Sequence, residues 1–124
     1  MVPGVVRLDY QMGICVFCDI IAGRKPAVAV YEDDVLLAIE DMYPRAPVHL
    51  LIMPKRHVAT LLDVQPSDTI WLGAVPFVAN RLARERSIAD SGYRLTVNVN
   101  RGGGQVIFHV HFHLLGGSPL RRLP

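Results

Sequence analysis

The chain reads Ile107-Phe108-His109-Val110-His111-Phe112-His113-Leu114-Leu115 near its C-terminus, where histidine alternates with apolar residues. A period of two residues is typical of a β-strand with two different faces. The apolar members are expected on the core face: Val110, Phe112 and Leu114. The histidines are expected on the opposite face: His109, His111 and His113. A rise of about 3.3 Å per residue places successive histidines roughly 6–7 Å apart, as a row of titratable groups on a rigid element.

The composition limits the class of protein. The 124 residues are enough for one domain with a hydrophobic core, and 51% of them are apolar. A net charge of +2 without a Lys/Arg run gives no indication of a nucleic-acid partner. No apolar run is long enough to span a membrane, and residues 1–14 lack the pattern of a signal peptide. We therefore expect a cytoplasmic protein.

The remaining elements follow from periodicity and from glycine and proline positions. A short helix at Cys18–Ala22 is expected to end at Gly23, and a long helix of about five turns to start near Pro66. Pro76 should kink the long helix because proline cannot donate to the carbonyl four residues back. The remaining strands are expected at Ala27–Tyr31, Val35–Ile39, Val48–Met53 and Tyr93–Val99. No strand–helix–strand alternation supports a parallel sheet, so the pattern predicts an α+β fold with about five antiparallel strands.

All five histidines fall in two places, His49 and His57 around the third strand and the three on the last strand. A glycine-rich turn at Asn100–Gly104 precedes the last strand, and such turns can direct backbone N–H groups at an anion. A neutral imidazole can attack phosphorus while a second, protonated one holds the phosphate oxygens. Phosphoryl or nucleotidyl transfer through a histidine intermediate is therefore the leading chemistry. A metal bound by His-x-His is the alternative, although no carboxylate lies in the strand or its turn to complete such a site.

Both cysteines lie in Cys15-Val16-Phe17-Cys18, so no disulfide framework is expected. Cys-x-x-Cys together with two histidines is a structural zinc set, here Cys15, Cys18, His57 and His109. Two reduced thiols without a metal remain an alternative. A thioredoxin-like redox role would need a strand–motif–helix context that the pattern does not offer.

The chain resembles the histidine-triad (HIT) family. His109-Val110-His111-Phe112-His113-Leu114-Leu115 matches its signature, in which histidine and apolar residues alternate. Further segments resemble the histidine-triad nucleotide-binding (Hint) branch: Gly103-Gly104-Gln105, Gly116-Gly117, Ala46-Pro47-Val48-His49 and Pro54-Lys55-Arg56-His57. The Fhit-like branch carries Pro-Arg after the triad, which disfavours hydrolysis of diadenosine polyphosphates. The resemblance gives three segments: an N-terminal extension at 1–14, in which Met12 is an alternative start; a HIT domain at 15–117; and a short tail at 118–124.

The resemblance implies an activity and an assembly. It implies hydrolysis of purine nucleoside 5′-phosphoramidates or acyl-nucleotides, with release of AMP or GMP through a covalent nucleotidyl-histidine. It also implies a homodimer whose two sheets join into one.

The resemblance further implies roles for individual residues. His111 matches the nucleophile, with His113 and His49 as its phosphate-side and orienting partners. Asp41 matches the carboxylate that takes the ribose hydroxyls. Positions that line the phosphate are matched by Asn98, Gly104, Gln105 and the backbone of Val106. The apolar base pocket is matched by Phe17, Ile39 and Met42. Relatives that carry Cys-x-x-Cys use the zinc set named above.

One departure from the family's sequence pattern favours alternative hypotheses for the function. Val106 stands where many relatives have serine, a hydroxyl near the leaving group, and an amine that leaves phosphorus needs a proton. A nucleotide-binding regulatory protein with vestigial catalysis is therefore the second hypothesis. A metal-dependent hydrolase that uses the histidine row is the third.

Overall fold

The computed structural model describes residues 14–120. The helices are α1 (Val16–Ile21) and α2 (Thr69–Glu85), and the strands are β1 (Ala29–Glu32), β2 (Leu36–Glu40), β3 (Val48–Pro54), β4 (Tyr93–Val97) and β5 (Phe112–Gly116). The strands form one antiparallel sheet in the order β1-β2-β3-β5-β4. The predicted α+β class, the sheet of five antiparallel strands and the single long helix are confirmed. Residues 1–13 of the predicted extension and 121–124 of the predicted tail lie outside the described residues.

Helix α2 covers one face of the sheet. Its apolar side packs on alternate residues of the strands, and this core contains Trp71, Val75, Val78 and Leu82 from the helix with Leu36, Leu50, Ile52 and Leu114 from the strands. Asp68, just before the helix, is 2% exposed and accepts hydrogen bonds from the N–H of Gln65 and the indole Nε1–H of Trp71. These bonds fix the chain where the helix begins. The helix is continuous through Pro76, whose predicted kink stays a prediction.

Helix α1 covers only part of the opposite face. Phe17 and Cys18 pack there against residues from β2 and β3, namely Leu37, Ile39, Leu51 and Met53. Cys15 caps the helix by accepting the N–H of Cys18, and Gly23 follows its end with φ +79°, as the sequence predicted. Because α1 is only six residues long, it does not extend over β5 and β4. The surface it leaves uncovered carries His111 and His113.

The histidine segment differs from the prediction in one respect. Strand β5 begins at Phe112, so His109 and His111 precede it. The N–H of Val110 donates to the carbonyl of Val58, 2.8 Å away, and this bond to a loop replaces the strand ladder. The alternation of faces persists nevertheless, since Val110 packs in the α2 core while the side chains of His109 and His113 are buried on the other face.

Strand β4 is also shorter than predicted, ending at Val97 rather than Val99. The side-chain amide of Asn98 donates to the carbonyl of Gly103, and Asn100 turns the chain with φ +59°. These two features start the glycine-rich turn earlier than the apolar pattern indicates. Within residues 14–120, no helix has both the length and the apolar character needed to cross a membrane.

Candidate active site and candidate metal centre

The strand register arranges the exposed part of the sheet in rows. On this face His113 of β5 lies between Leu51 of β3 and Thr96 of β4. The next row, two residues along β5, places Leu115 between His49 and Arg94. The side chains of both rows point to the side of the sheet that α1 leaves open.

A cleft of about 780 Å³ lies over these rows. This size is within the range of small-molecule sites. Seven of the residues predicted for the site line it: Phe17, Asp41, Asn98, Gly104, Val106, His111 and His113. The cleft-lining residues that the sequence reasoning did not assign to the site are Arg45, Leu51, Arg94, Thr96, Ile107, Leu115 and residues 118–120.

Four other predicted site residues lie elsewhere. His49 is 3% exposed and lies beneath the cleft, bonded to His113. Ile39 is buried in the core under α1, and Met42 is 75% exposed. Gln105 is buried, with its amide oxygen accepting the N–H of Asn100 and its amide nitrogen donating to two carbonyls. These hydrogen bonds hold the glycine-rich turn in its conformation.

His111 has a defined arrangement of its two ring nitrogens. Its Nδ1–H donates to the carbonyl of His109 at 2.7 Å. In a neutral imidazole the other nitrogen then carries the lone pair, so Nε2 is the nucleophilic atom. Burial lowers the pKa of His111 from its usual value, although the bond to His109 and the charge of Asp41 oppose the shift. The imidazole is consequently neutral, with a free lone pair, near pH 7.

The hydrogen bond between His49 and His113 has one donor, His49, and one acceptor, His113. The backbone N–H of Arg45 donates to Nδ1 of His49 at 3.1 Å, which places the hydrogen of the neutral His49 ring on Nε2. That Nε2–H points to Nδ1 of His113 at 2.9 Å and also lies 3.3 Å from a carboxylate oxygen of Asp41. Because Nδ1 of His113 accepts, its Nε2 carries a hydrogen and is a donor to the cleft.

The charge on this pair differs from the sequence expectation. Burial, with the neighbouring histidines and Arg45, lowers the pKa of His113 to about 4, although Asp41 opposes this. Burial also lowers the pKa of His49. Both imidazoles of this pair are therefore neutral near pH 7, whereas the sequence analysis expected the second one to be protonated. A neutral His113 still donates from Nε2–H, so it can bind a phosphate oxygen without a charge.

The glycine-rich turn also differs from the expected anion-binding nest. The N–H groups of Gly103, Gly104 and Gln105 all donate to carbonyls within the turn, those of Asn100 and Arg101. Gly104 lies at the cleft with φ +87°, a conformation that favours glycine. Among residues 14–120, the N–H of Val106 has no hydrogen-bond acceptor. The N–H groups of Arg101 and Gly102 also have no acceptor among these residues, but neither residue lines the cleft, whereas Val106, one of the predicted phosphate positions, does.

The predicted metal set comes together on the other side of Phe17. The ligand atoms of Cys15, Cys18, His57 and His109 all lie within 4.8 Å of one another. Sulfur–nitrogen distances are 3.2 Å from Cys18 to Nδ1 of His57, and 3.4 and 3.6 Å from Cys15 and Cys18 to Nδ1 of His109. Zinc bonds of about 2.3 Å to sulfur and 2.0–2.1 Å to nitrogen, at tetrahedral angles, separate S and N ligands by about 3.5 Å. The donor set and its spacing fit zinc.

The proton on His109 supports the same conclusion. Its Nε2–H donates to the carbonyl of Pro54 at 2.8 Å, so the lone pair lies on Nδ1, which faces the two thiols. Such a bond from the second nitrogen is the usual support of a ligating histidine. Phe17 lies between the two groups, edge-on to both His109 and His111 at ring distances of 5.8 and 4.9 Å.

Sequence signals existed for only some of the unassigned cleft residues. Arg94 and Thr96 alternate with the apolar residues Leu95 and Val97 along β4, and Leu51 lies two residues after His49 on β3, so a period of two indicates the cleft face for all three. Arg45 and residues 118–120 belong to loops, where periodicity gives no direction.

The family model described as the HIT domain matches residues 22–120. The chain belongs to the HIT family. The predicted resemblance is therefore confirmed.

Relatives of this HIT protein match along most of their length. It is 44% identical over 105 residues to the purine nucleoside phosphoramidase of Escherichia coli strain K12, covering 85% of this chain and 88% of that protein. A HIT family hydrolase from Legionella pneumophila Philadelphia 1 has a crystal structure with a TM-score of 0.83 and 47% identity, over 86% of this chain and 96% of that one. A HIT family hydrolase from Clostridium thermocellum gives a TM-score of 0.86 at 41% identity, over 91% and 98%.

Proposed function

We propose that this HIT protein hydrolyses purine nucleoside 5′-phosphoramidates or acyl-nucleotides through a covalent nucleotide on His111. The observation that carries the proposal is the lone pair on Nε2 of His111, fixed by the bond from Nδ1–H to the His109 carbonyl in a residue that lines the cleft. The E. coli relative named purine nucleoside phosphoramidase supports the substrate class.

In the first step, Nε2 of His111 attacks the α-phosphorus. The Nε2–P bond forms while the bond from phosphorus to the leaving group breaks, and its electron pair goes to the leaving atom. An acyl group departs as a carboxylate and needs no proton, whereas a departing amine takes one from solvent at the open side of the cleft. The His109 carbonyl stabilises the positive charge that develops on the His111 ring.

In the second step, water attacks the same phosphorus. The P–Nε2 bond breaks, its electron pair returns to His111, and the water gives up a proton to solvent as the nucleoside monophosphate leaves. Two easier displacements replace one difficult one, as in other covalent mechanisms.

The other predicted residues have supporting roles in the proposal. His113 donates its Nε2–H to a phosphate oxygen, and His49 fixes the His113 ring. Asp41 accepts the ribose hydroxyls, and the N–H of Val106 with Asn98 and Gly104 borders the phosphate. Phe17, joined by Leu51 and Ile107, supplies the apolar lining for the base. Gln105 holds the turn in place rather than touching the phosphate.

Zinc and the homodimer are further parts of the proposal. Zinc bound by Cys15, Cys18, His57 and His109 would supply structural stabilisation, tying the start of α1 to the segment that carries the nucleophile. The homodimer would extend the sheet across one of its edge strands, β1 or β4.

The test is incubation with an adenosine 5′-phosphoramidate, with and without chelator, followed by trapping of the nucleotidyl-enzyme and mapping of the labelled residue. We expect AMP release and a label on His111, with little early effect of the chelator. A label on another residue, or turnover that stops at once with chelator, would contradict the proposal.

A regulatory nucleotide-binding protein with vestigial catalysis is the second candidate. Val106 favours it, because this residue is 86% exposed at the cleft and its side chain offers no hydroxyl to a leaving amine. Tight binding of AMP without turnover in the same assay would put this candidate first.

The third candidate, a metal-dependent hydrolase, meets an obstacle at His49. Asp41, His49 and His113 do have ligand atoms within 4.8 Å of one another. However, Nδ1 of His49 accepts the N–H of Arg45, so the Nε2 that faces the other two residues carries a hydrogen. A protonated nitrogen has no lone pair for a metal.

A further inference from the structure

A second cavity, of about 460 Å³, lies beside the predicted metal set, and we call it the side pocket. Apolar residues form most of its wall, among them Ile14, Val16, Ala59 and Phe108. It adjoins the cleft, because two residues line both cavities, but the cleft histidines do not line it. The side pocket is therefore a separate opening, next to the proposed metal ligands rather than to the nucleophile.

The four proposed metal ligands differ in how they face the side pocket. Cys15 and His57 line it, whereas Cys18 and His109 do not. Cys18 and His109 are 0% exposed and Cys15 is 6% exposed, while His57 is half-buried. On the cleft side the set is closed, because the ring of Phe17, itself 3% exposed, lies between it and the nucleophile. A small molecule in the side pocket therefore meets the set at His57 and Cys15.

Of these two ligands, His57 can leave the metal with the smaller loss. Cys15 also accepts the N–H of Cys18 at 3.4 Å, and this bond caps α1. Movement of Cys15 would therefore open the start of the helix as well as the metal site. His57 lies in the loop after β3 and is a neutral ligand, so its departure removes no charge from the site.

The charge of the site determines which molecules suit the side pocket. Two cysteine thiolates balance the charge of a divalent zinc ion, and the histidine ligands are neutral. Within residues 14–120, the lining of the side pocket includes no lysine, arginine, aspartate or glutamate. Charged molecules would lose hydration there without gaining a partner, so an uncharged ligand with an apolar body is favoured.

We propose that the side pocket is a ligand-exchange site, where a small, uncharged, aromatic nitrogen chelator replaces His57 on the metal. One bond from a chelator nitrogen to zinc forms as the bond from His57 breaks, so four ligands remain and no electrons are transferred. The metal then enters and leaves through this pocket. The inference rests on the metal centre of the proposed function and does not depend on the hydrolase activity.

The experiment measures how fast zinc leaves the full-length, zinc-loaded protein. Excess EDTA, a polyanion, is present throughout as the final acceptor, and metal analysis after rapid desalting gives the zinc that remains bound. The uncharged aromatic chelator o-phenanthroline should raise the rate of zinc loss roughly tenfold or more, because it opens a path with a lower barrier. Its isomer m-phenanthroline is the control, since it has the same size and apolar character but cannot chelate.

Substitutions in the side pocket should change this acceleration. Ala59→Leu narrows the pocket without altering a ligand, and it should reduce the acceleration roughly fivefold because the chelator fits less easily. Ala89→Leu is the matched control, since Ala89 is exposed and lines neither cavity. Ile14→Ala widens the pocket and should increase the acceleration, so it tests the same route if Ala59→Leu does not fold.

His57→Asn tests which ligand is exchanged. The variant should still hold zinc on the three remaining ligands, lose it to EDTA faster than wild type, and gain little from o-phenanthroline, because the position is already open. A variant that holds no zinc, or one that shows the full acceleration of wild type, would overturn the assignment of His57.

The zinc content at the start separates this inference from the metal centre itself. A wild-type protein that binds no added zinc would overturn the metal centre and this inference with it. Bound zinc that leaves equally fast with either phenanthroline isomer, or an acceleration that both Ala59→Leu and Ile14→Ala leave unchanged, would overturn the side pocket alone.

Discussion

Two clusters on the same side of the sheet use the same residue type for different chemistry. In the cluster of Cys15, Cys18, His57 and His109, the Nδ1 atoms of both histidines face sulfur at 3.2–3.6 Å. In the cleft, His49, His111 and His113 instead bond to backbone groups and to one another.

The difference lies in the partner of the second ring nitrogen. His109 donates Nε2–H to a carbonyl and so presents the lone pair of Nδ1 to the thiols. His111, two residues later, donates Nδ1–H to a carbonyl and presents the lone pair of Nε2 to the cleft. A backbone carbonyl in each case determines which nitrogen is free, and the surroundings of that nitrogen determine whether it suits a metal or a phosphorus atom.

The largest expected effect is on the cleft histidine that carries the free Nε2. His111→Asn should lower kcat/KM for an adenosine phosphoramidate by roughly 10⁴-fold or more, because covalent catalysis loses its nucleophile. His57→Asn, from the other cluster, should retain far more activity. Steady-state kinetics on both variants, with circular dichroism to check folding, makes the comparison. Wild-type turnover by His111→Asn would remove the nucleophile assignment.

The second largest effect is expected on metal content and stability, through the cluster of Cys15, Cys18, His57 and His109. Cys15→Ser removes one ligand but keeps a good helix cap, because serine can accept the Cys18 N–H that Cys15 accepts now. We expect about one zinc per wild-type chain, its loss in the variant, and a free energy of unfolding about 3 kcal/mol lower.

Metal analysis and denaturant unfolding measure these two changes. Wild type treated with chelator is the control and should approach the stability of Cys15→Ser. Absence of zinc from wild type purified without chelator, together with an unchanged stability of the variant, would contradict a metal centre here.

Much of this architecture could be predicted because it depends on periodicity. Alternation along the histidine segment predicted the correct faces for Val110 and His113, and the position of Pro66 predicted where the long helix begins. The start of β5 could not be predicted, since it depends on a bond from Val110 to Val58, a residue distant in sequence. Local patterns carry no information about such a partner.

The chemistry of the site was predictable to a smaller extent. Residue types and spacing indicated both clusters, but the hydrogen positions on His49 and His109 depend on Arg45 and Pro54, which pattern reasoning did not connect to them. The glycine turn was expected to present its N–H groups to an anion, whereas Gly103 and Gly104 use theirs internally. A glycine pattern indicates a turn but not which of its donors remain available.

Protonation of His113 in the cleft is expected to have an intermediate effect, which is a loss of unfolding free energy at low pH. Burial lowers the pKa of His113 to about 4, while an unfolded histidine titrates near its ordinary value of 6.5. Between these values the unfolded state binds more protons, so stability is full above about pH 6.5 and falls as the pH drops toward 4. The expected loss is on the order of 1–2 kcal/mol after allowance for solvent screening.

Unfolding free energies of wild type and His113→Asn over this pH range isolate the contribution of His113, because both proteins retain the histidines of the other cluster. The variant should show a shallower slope. Parallel curves for the two proteins would mean that His113 is not the group that resists protonation.

The smallest expected effect tests the leaving-group side of the cleft. Val106→Ser would place a hydroxyl where an amine departs, and one added hydrogen bond of about 1 kcal/mol corresponds to roughly a fivefold higher kcat for a phosphoramidate. An acyl-nucleotide is the internal control, since a carboxylate leaves without a proton and its kcat should change little. Val106→Thr should reproduce the gain and Val106→Ala should not, because only threonine carries a hydroxyl. An equal gain for both substrates would instead point to easier access or product release, and the missing hydroxyl would then not be what limits cleavage of the P–N bond.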